Sequence, residues 1–217
     1  MKGRFLVFEG IDGCGKTTQL TEITKWLPNS GLMPEGSELQ ITREPGGTAL
    51  GNSLRELLLH PPKEVSPKPL TELLLYASDR AQHISEVIIP AIERGDWVIS
   101  DRFSGSTLSY QGYGRGLSLN LIRELEAIAT QGVVPDLTFW LDLSVQESLA
   151  RRSAKNHDRI ESEGADFLSK VAYGFQYLAK ERNWVRIPAK LQKDLVTKKI
   201  QDAMVKNLLN KRKVLND

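Results

Sequence analysis

The chain has little of what would place it outside a reducing, aqueous compartment. A single cysteine, Cys14, occurs in 217 residues. No internal disulfide can form, which fits a reducing compartment. Neither sign of charge dominates: 29 Lys and Arg against 27 Asp and Glu leave a net +2, so composition implies no nucleic-acid-binding surface. No apolar run approaches the ~20 residues that a membrane helix needs. Met1-Lys2-Gly3-Arg4 passes almost at once into an apolar run and leaves no room for a secretory leader. A cytoplasmic location, with no membrane and no nucleic acid as partner, is expected. Internal repeats and long low-complexity segments are also missing. So is an N-K-x-D motif at a strand end, which a GTPase switch would use to read guanine. The 40% hydrophobic content over 217 residues suffices for one globular domain with its own core. Residues 1–217 are taken as that domain.

Gly10-Ile11-Asp12-Gly13-Cys14-Gly15-Lys16-Thr17 fits the phosphate-loop pattern G-x-x-x-x-G-K-[ST] in full. Its context is the one the chemistry requires. Phe5-Leu6-Val7-Phe8 reads as a buried strand, and Leu20, Ile23, Thr24 and Leu27 sit at helical spacing. Glycines let the backbone turn its N–H groups toward a polyphosphate, and the helix N-terminus adds unpaired donors and partial positive charge. Residues Gly10 to Thr18 are therefore the expected ATP phosphate site. Lys16 would reach the β- and γ-phosphates and the Thr17 hydroxyl would ligate Mg²⁺. Cys14, near a helix N-terminus, has two readings: a reactive thiol, or a small residue tolerated at a variable loop position.

Further along, Leu39–Thr42, Trp97–Asp101, Leu137–Leu143 and Trp184–Ile187 read as four more strands. Helical patterns lie between them, over Leu50–Leu58, Leu70–Arg94, Leu119–Thr130 and from Phe167 to Leu178. In the longest, Leu74, Ala77, Ala81, Ile84 and Ile88 form the apolar stripe, Pro90 predicts a kink or break, and Gly95 a C-terminal cap. Arg102 to Gly116, rich in glycine and tyrosine, reads as an active-site connection. Ser144-Val145-Gln146-Glu147 is a capping box that starts a helix. The basic tail from Lys190 repeats Leu191, Leu195, Ile200, Met204 and Leu208 on one face and is expected to be an amphipathic helix. Strands alternating with helices predict an α/β fold: a five-stranded parallel sheet with helices on both faces, binding ligands beyond the carboxyl ends of its strands. Asp12 and Lys16, Arg43 and Glu44, and Asp101 and Arg102 all follow strands.

A carboxylate at the end of the third strand suits a Mg²⁺-associated role. Asp101 is favoured because Arg102 follows it. Asp142, after Phe139-Trp140-Leu141, is the rival. Arg43, Arg80 and Arg102 exceed what one nucleotide triphosphate needs. They imply a second anionic substrate and hence phosphoryl transfer to a phosphorylated acceptor.

With these motifs in order, the sequence resembles the thymidylate kinase family over nearly its whole length. The resemblance rests on Phe8-Glu9-Gly10-Ile11-Asp12-Gly13 with Lys16-Thr17-Thr18, and on Thr42-Arg43-Glu44-Pro45-Gly46-Gly47-Thr48. Glu72 to Ala77 with Asp79 to His83, Asp101-Arg102-Phe103, Ser106, Thr107, Tyr110-Gln111-Gly112 and Asp158-Arg159-Ile160-Glu161 complete it. It implies a P-loop NTPase fold with a mobile lid over about 151–164, and transfer of the γ-phosphoryl group of ATP to dTMP for dTTP synthesis. It also implies a homodimer. By the same resemblance Arg43 and Arg102 hold the dTMP phosphate and Asp12 lies near the acceptor's 3′-hydroxyl and phosphate. Arg80 meets the thymine, and Thr107 and Gln111 face base or sugar. Tyr76 stands where the family usually has a stacking Phe. The implied catalytic groups are Lys16, Asp12 and Arg102, with Arg151 or Arg152 supplying positive charge from the lid and Lys155 and Arg159 in reserve. Thr17 and Asp101 are the expected metal residues. The bond between Glu44 and Pro45 is expected to be cis. Ile187-Pro188 departs from the family, which often has an acidic residue there.

Overall fold

Each strand prediction corresponds to a strand in the structure, a computed structural model that describes residues 3–62, 64–151, 159–160 and 163–213, the last five as backbone only. The strands are β1 (Arg4–Glu9), β2 (Leu39–Arg43), β3 (Trp97–Asp101), β4 (Leu137–Asp142) and β5 (Val185–Pro188). They form one sheet in the order β2-β3-β1-β4-β5, and every pairing is parallel. The register sets Asp101 beside both Phe8 and Arg43. The carboxyl ends of the three strands that carry the charged motifs are thereby level.

The helices are α1 (Lys16–Trp26), α2 (Ala49–Leu59), α3 (Pro69–His83), α4 (Ile89–Arg94), α5 (Ser104–Thr107), α6 (Leu119–Thr130), α7 (Val145–Arg151), α8 (Ala165–Glu181) and α9 (Lys193–Lys213). They cover both sides of the sheet, as the alternation of β1 side chains requires. Leu6 and Phe8 join Leu20 and Ile23 of α1 and Ile200 and Met204 of α9. Phe5 and Val7 point the other way and pack with Ile84, Ile88, Ala91 and Val98. Among the described residues no helix is long and apolar enough to cross a membrane.

Four local readings are sharpened. The 70–94 pattern is two α-helices joined by a π-helical turn, Ile84–Ile88. Pro90 lacks the N–H that a regular helix would donate, and the chain widens just before it. Gly95 closes α4 in the left-handed conformation at φ 91°. In α3 the buried leucine is Leu73, whereas Leu74 is 46% exposed. The buried side of α3 also carries Glu72, Asp79, Arg80 and His83, so a purely hydrophobic period could not locate it. In α9 Val196 is buried and Leu195 faces solvent.

The segment after β3 is helical instead of a loop: α5 runs into a π-helix at Leu108–Gly114. Its glycines serve packing. A Cβ on Gly105 would lie 2.3 Å from the Trp184 ring and one on Gly114 2.6 Å from the Phe167 ring. The capping box starts α7 as expected: Ser144 Oγ accepts from Glu147 N–H, and the Glu147 carboxylate accepts from Ser144.

Candidate active site

The phosphate loop links β1 to α1. Gly10 adopts φ 144°, and a Cβ there would stand 2.7 Å from the Leu141 carbonyl oxygen. Only glycine fits that turn. Lys16 folds back over the loop and donates to the carbonyls of Gly10 at 3.0 Å and Ile11 at 3.3 Å. α7 fastens the loop from the side, with Ser148 Oγ donating to Asp12 O at 2.6 Å. Burial pushes the Cys14 thiol above its ordinary value. This favours the small-residue reading over a reactive thiol. Lys16, Thr17, Thr18, Arg43, Asp101 and Arg151 line one cavity together with Gly13 and Gly15.

Asp101 and Asp142 differ in their partners. Asp142 is engaged by Arg186 Nε at 2.7 Å. Asp101 Oδ1 is buried with no hydrogen-bond partner, beside the exposed Thr17 in the phosphate cavity. A buried, unpartnered carboxylate oxygen next to an exposed hydroxyl fits a hydrated divalent cation. Among the described residues no three His, Cys, Asp or Glu side chains cluster to hold a metal. A site of this kind suits Mg²⁺, which keeps several waters and takes further ligands from substrate phosphates.

A second cavity lies against the first. Asp12, Tyr76, Arg80, Arg102, Thr107 and Gln111 line it, all anticipated for the acceptor. Four residues line both cavities: Asp12, Glu44, Arg55 and Arg102. Arg43 lies on the phosphate side of this seam and not in the pocket with Tyr76.

The seam is electrostatically tight. Arg102, at φ 72°, donates to Gly10 O and Ser106 Oγ at 3.0 Å each, to Tyr110 Oη at 3.3 Å, and to the Asp12 carboxylate. Burial works against ionising Asp12, but the charges of Arg102 and Lys16 outweigh it and hold the carboxyl at about 2. Tyr110 adds a 2.8 Å hydrogen bond to the same group. Glu9, fully buried at the end of β1, accepts from the N–H groups of Phe103 and Ser106 at 3.0 Å and from Ser106 Oγ at 2.6 Å. Desolvation still raises its carboxyl to about 7.

In the pocket, Arg80 lies with its guanidinium 5.3 Å from the centre of the Phe103 ring. It donates to Glu44 Oε2 at 2.8 Å and to Thr107 Oγ1 at 2.9 Å. His83, fully buried, bridges Glu44 Oε1 at 2.9 Å and Thr42 Oγ1 at 2.7 Å, a packing and bridging role. The Glu44–Pro45 peptide bond is cis, as expected. Arg151 lines the phosphate cavity and donates to Ala189 O at 3.0 Å. Arg159 is directed elsewhere, to Leu58 O at 3.0 Å and to Glu72. Arg152, Lys155, Asp158 and Glu161 lie outside the described residues.

A phosphate loop and a second, arginine-lined pocket sharing one seam specify a nucleotide kinase with a phosphorylated acceptor. The sequence model of the thymidylate kinase family matches residues 8–200. The chain belongs to the thymidylate kinase family. It is 64% identical over 204 residues to a thymidylate kinase of Prochlorococcus marinus strain MIT 9303, covering 94% of each chain. It is 57% identical over 211 residues to that of P. marinus strain NATL2A, covering 97% of this chain and 100% of the relative. The crystal structure of thymidylate kinase from Ehrlichia chaffeensis superposes with a TM-score of 0.74 at 31% identity, covering 94% of this chain and 99% of that one. The activity of the thymidylate kinase family is ATP-dependent phosphorylation of dTMP to dTDP.

Sequence reasoning missed Arg55 and named Glu9, Glu72 and Tyr110 only within motifs, with no role of their own. For Arg55 no local pattern was available: it lies mid-helix among leucines, and the fold brings it to the seam.

Proposed function

We propose that this chain is a single catalytic domain that transfers the γ-phosphoryl group of ATP to dTMP, giving ADP and dTDP for dTTP synthesis. The observation that carries the reading is the seam of Asp12, Glu44, Arg55 and Arg102 common to both cavities. ATP lies on the loop amides with Lys16 at its β- and γ-phosphates. Arg55 and Arg102, with Arg43 at the edge, hold the acceptor phosphate in line with the γ-phosphorus. An oxygen of that phosphate bonds to the γ-phosphorus as the bond to the β–γ bridging oxygen breaks. Asp12 fixes the orientation of Arg102. Thr17 and Asp101 are the residues that would hold Mg²⁺, and the ion, when bound, neutralises charge on the β- and γ-oxygens.

Segment 151–164 acts as the lid. Of its described residues, Arg151 lines the phosphate cavity and Ile160 lines the acceptor pocket, which supports that reading. The working form is a cytoplasmic homodimer. α3 packs against both α2 and α6, and the three helices expose Leu50, Leu57, Leu70, Leu74, Leu121 and Ile128, apolar surface that a second copy would cover.

A coupled ADP-release assay with ATP and a panel of nucleoside monophosphates tests the activity. Lys16→Ala should lower kcat by about 10²-fold or more with a normal melting curve. Equal turnover of dGMP and dTMP by the wild-type protein would overturn the substrate assignment. Sedimentation tests the dimer.

A further inference from the structure

The cavity of Tyr76, Arg80, Thr107 and Gln111 is taken as the pocket for the acceptor base, and the role assigned to Glu72 rests on that reading. Gln111 is almost fully buried, at 2% exposure. Its side-chain Nε2 donates to Glu72 Oε1 at 2.8 Å. Glu72 is itself fully buried on α3. It also receives Arg115, at 3.3 Å from Nε to Oε1 and from Nη2 to Oε2, and Arg159 at Oε2. Donors from three residues converge on its two oxygens, so the group that Gln111 turns toward Glu72 must be its N–H side. The amide has no second orientation without setting one oxygen against another inside a buried cluster, where an unpaired polar group is costly.

The orientation of the amide has a chemical consequence for the cavity. With its N–H directed at Glu72, the remaining polar atom of Gln111 is its carbonyl oxygen, an acceptor. Arg80, held by Glu44 and Thr107, brings only donors. Arg80 and Gln111 line the same pocket, which is thus offered a donor group by the first and an acceptor by the second. Thymine offers the complement, a C4 carbonyl next to an N3–H. Cytosine offers the reverse, an amino group at C4 and an unprotonated N3.

We infer that Glu72 is the positioning residue that sets the polarity of Gln111, so that the pocket takes a base with N3–H and rejects one with a bare N3. Glu72 touches no substrate in this arrangement. It acts through Gln111, and Arg115 and Arg159 each pair with it, so that Arg159 still holds the carboxylate when Arg115 is removed.

The test is the ratio of kcat/KM for dTMP to kcat/KM for dCMP in the wild-type chain, Glu72→Gln and Arg115→Met. Glu72→Gln can accept or donate, so it frees the Gln111 amide to turn over. The ratio should fall about tenfold or more, with KM for ATP unchanged. Arg115→Met removes an ion pair from the same carboxylate without touching Gln111. It should lower the melting temperature and leave the ratio within about twofold. If Glu72→Gln does not fold, Glu72→Asp carries the test. It keeps a charge for the two arginines and withdraws the acceptor from Gln111 by one methylene, so the ratio should again fall. A folded Glu72 variant with the wild-type ratio overturns the inference, as does an equal fall in Arg115→Met, which would mean general loosening. A wild-type chain that fails to prefer dTMP to dCMP would instead sink the reading of the cavity.

Discussion

Arg102 and Asp12, 90 residues apart in sequence, meet as an ion pair at the seam between the two cavities. One follows β3 and the other follows β1, and the pairing of Phe8 with Asp101 places the two strand ends together. In the proposed reaction Arg102 takes the acceptor phosphate, and the contact keeps that cation paired beforehand.

Asp12→Asn should therefore weaken both stability and acceptor use. The folded carboxyl lies at about 2, below its ordinary 3.8. A depressed carboxyl contributes stability that is present above pH ~4 and is lost as pH falls toward 2. The difference corresponds to about 2 kcal/mol, or a melting temperature lower by about 4–8 °C for a chain of this size. At pH 7 the variant should show that loss, and at pH 3 the gap to wild type should shrink. An equal gap at both values would show that the ion pair is not its source. Activity should fall mainly in kcat/KM for dTMP.

Glu9 carries the opposite sign. Burial raises its carboxyl from 4.5 to about 7, so the folded state holds a proton that the unfolded chain has already released. Stability contributed this way is full below pH ~4.5 and declines as pH rises toward 7, by up to about 3 kcal/mol. Asp79, raised to about 6 chiefly by burial, slopes the same way. Glu9→Gln should flatten part of the decline between pH 5 and 7.5 in thermal melts. An unchanged slope would place the titration elsewhere.

Arg55 marks a limit of reading this chain from its sequence. The phosphate loop, the strand ends and the alternation that dictates a parallel sheet are local patterns, and they locate Lys16, Asp101 and Arg102 directly. Arg55 lies mid-helix among leucines, and only the return of α2 to the sheet edge sets it on the seam. Glu9 and Glu72 stand inside the family motifs, yet their contacts were not legible there. Both are buried and satisfied by partners at least 39 residues away, as is His83, so the contacts that define each role are not local. The helix after β3 was obscured by glycines that serve packing against Trp184 and Phe167.

Arg55→Ala should raise KM for dTMP and lower kcat/KM by about 10–100-fold, the value of a charge-assisted hydrogen bond to a phosphate. KM for ATP should move much less. The guanidinium donates to Pro45 O at 2.9 Å, so a small loss of stability is expected as well. Isothermal titration with dTMP alone checks the binding part. Unchanged dTMP affinity would remove Arg55 from the acceptor site.

Arg151, at the end of α7, lines the phosphate cavity, and the proposed lid begins with it. Its contact with Ala189 O also ties α7 to the end of β5. A guanidinium supplied to a transferring phosphoryl group is worth about 10³–10⁵ in rate. Arg151→Met should cut kcat far more than it raises KM for dTMP. A kcat within a few-fold of wild type would shift that role to Arg152 or Lys155, since Arg159 is already committed to Glu72 and Leu58.

Tyr76 lies on α3 one turn before Arg80, and both line the acceptor pocket. A flat ring beside a guanidinium can hold a planar base between stacking and hydrogen bonding. Replacing Tyr76 by Phe keeps the ring and removes only the hydroxyl, so kcat/KM for dTMP should stay within about threefold. Replacing it by Ala removes the stacking face, worth about 1–3 kcal/mol per base, and should raise KM for dTMP by about 10–100-fold. Tyr76 does not line the phosphate-loop cavity, so KM for ATP should change little in either variant. Steady-state kinetics with each nucleotide varied in turn separate the two effects. A Tyr76→Ala enzyme that weakens ATP and dTMP equally would mean that the tyrosine supports the fold and not the base. One that leaves dTMP unaffected would place the base elsewhere in the pocket, nearer Phe103 and Tyr110.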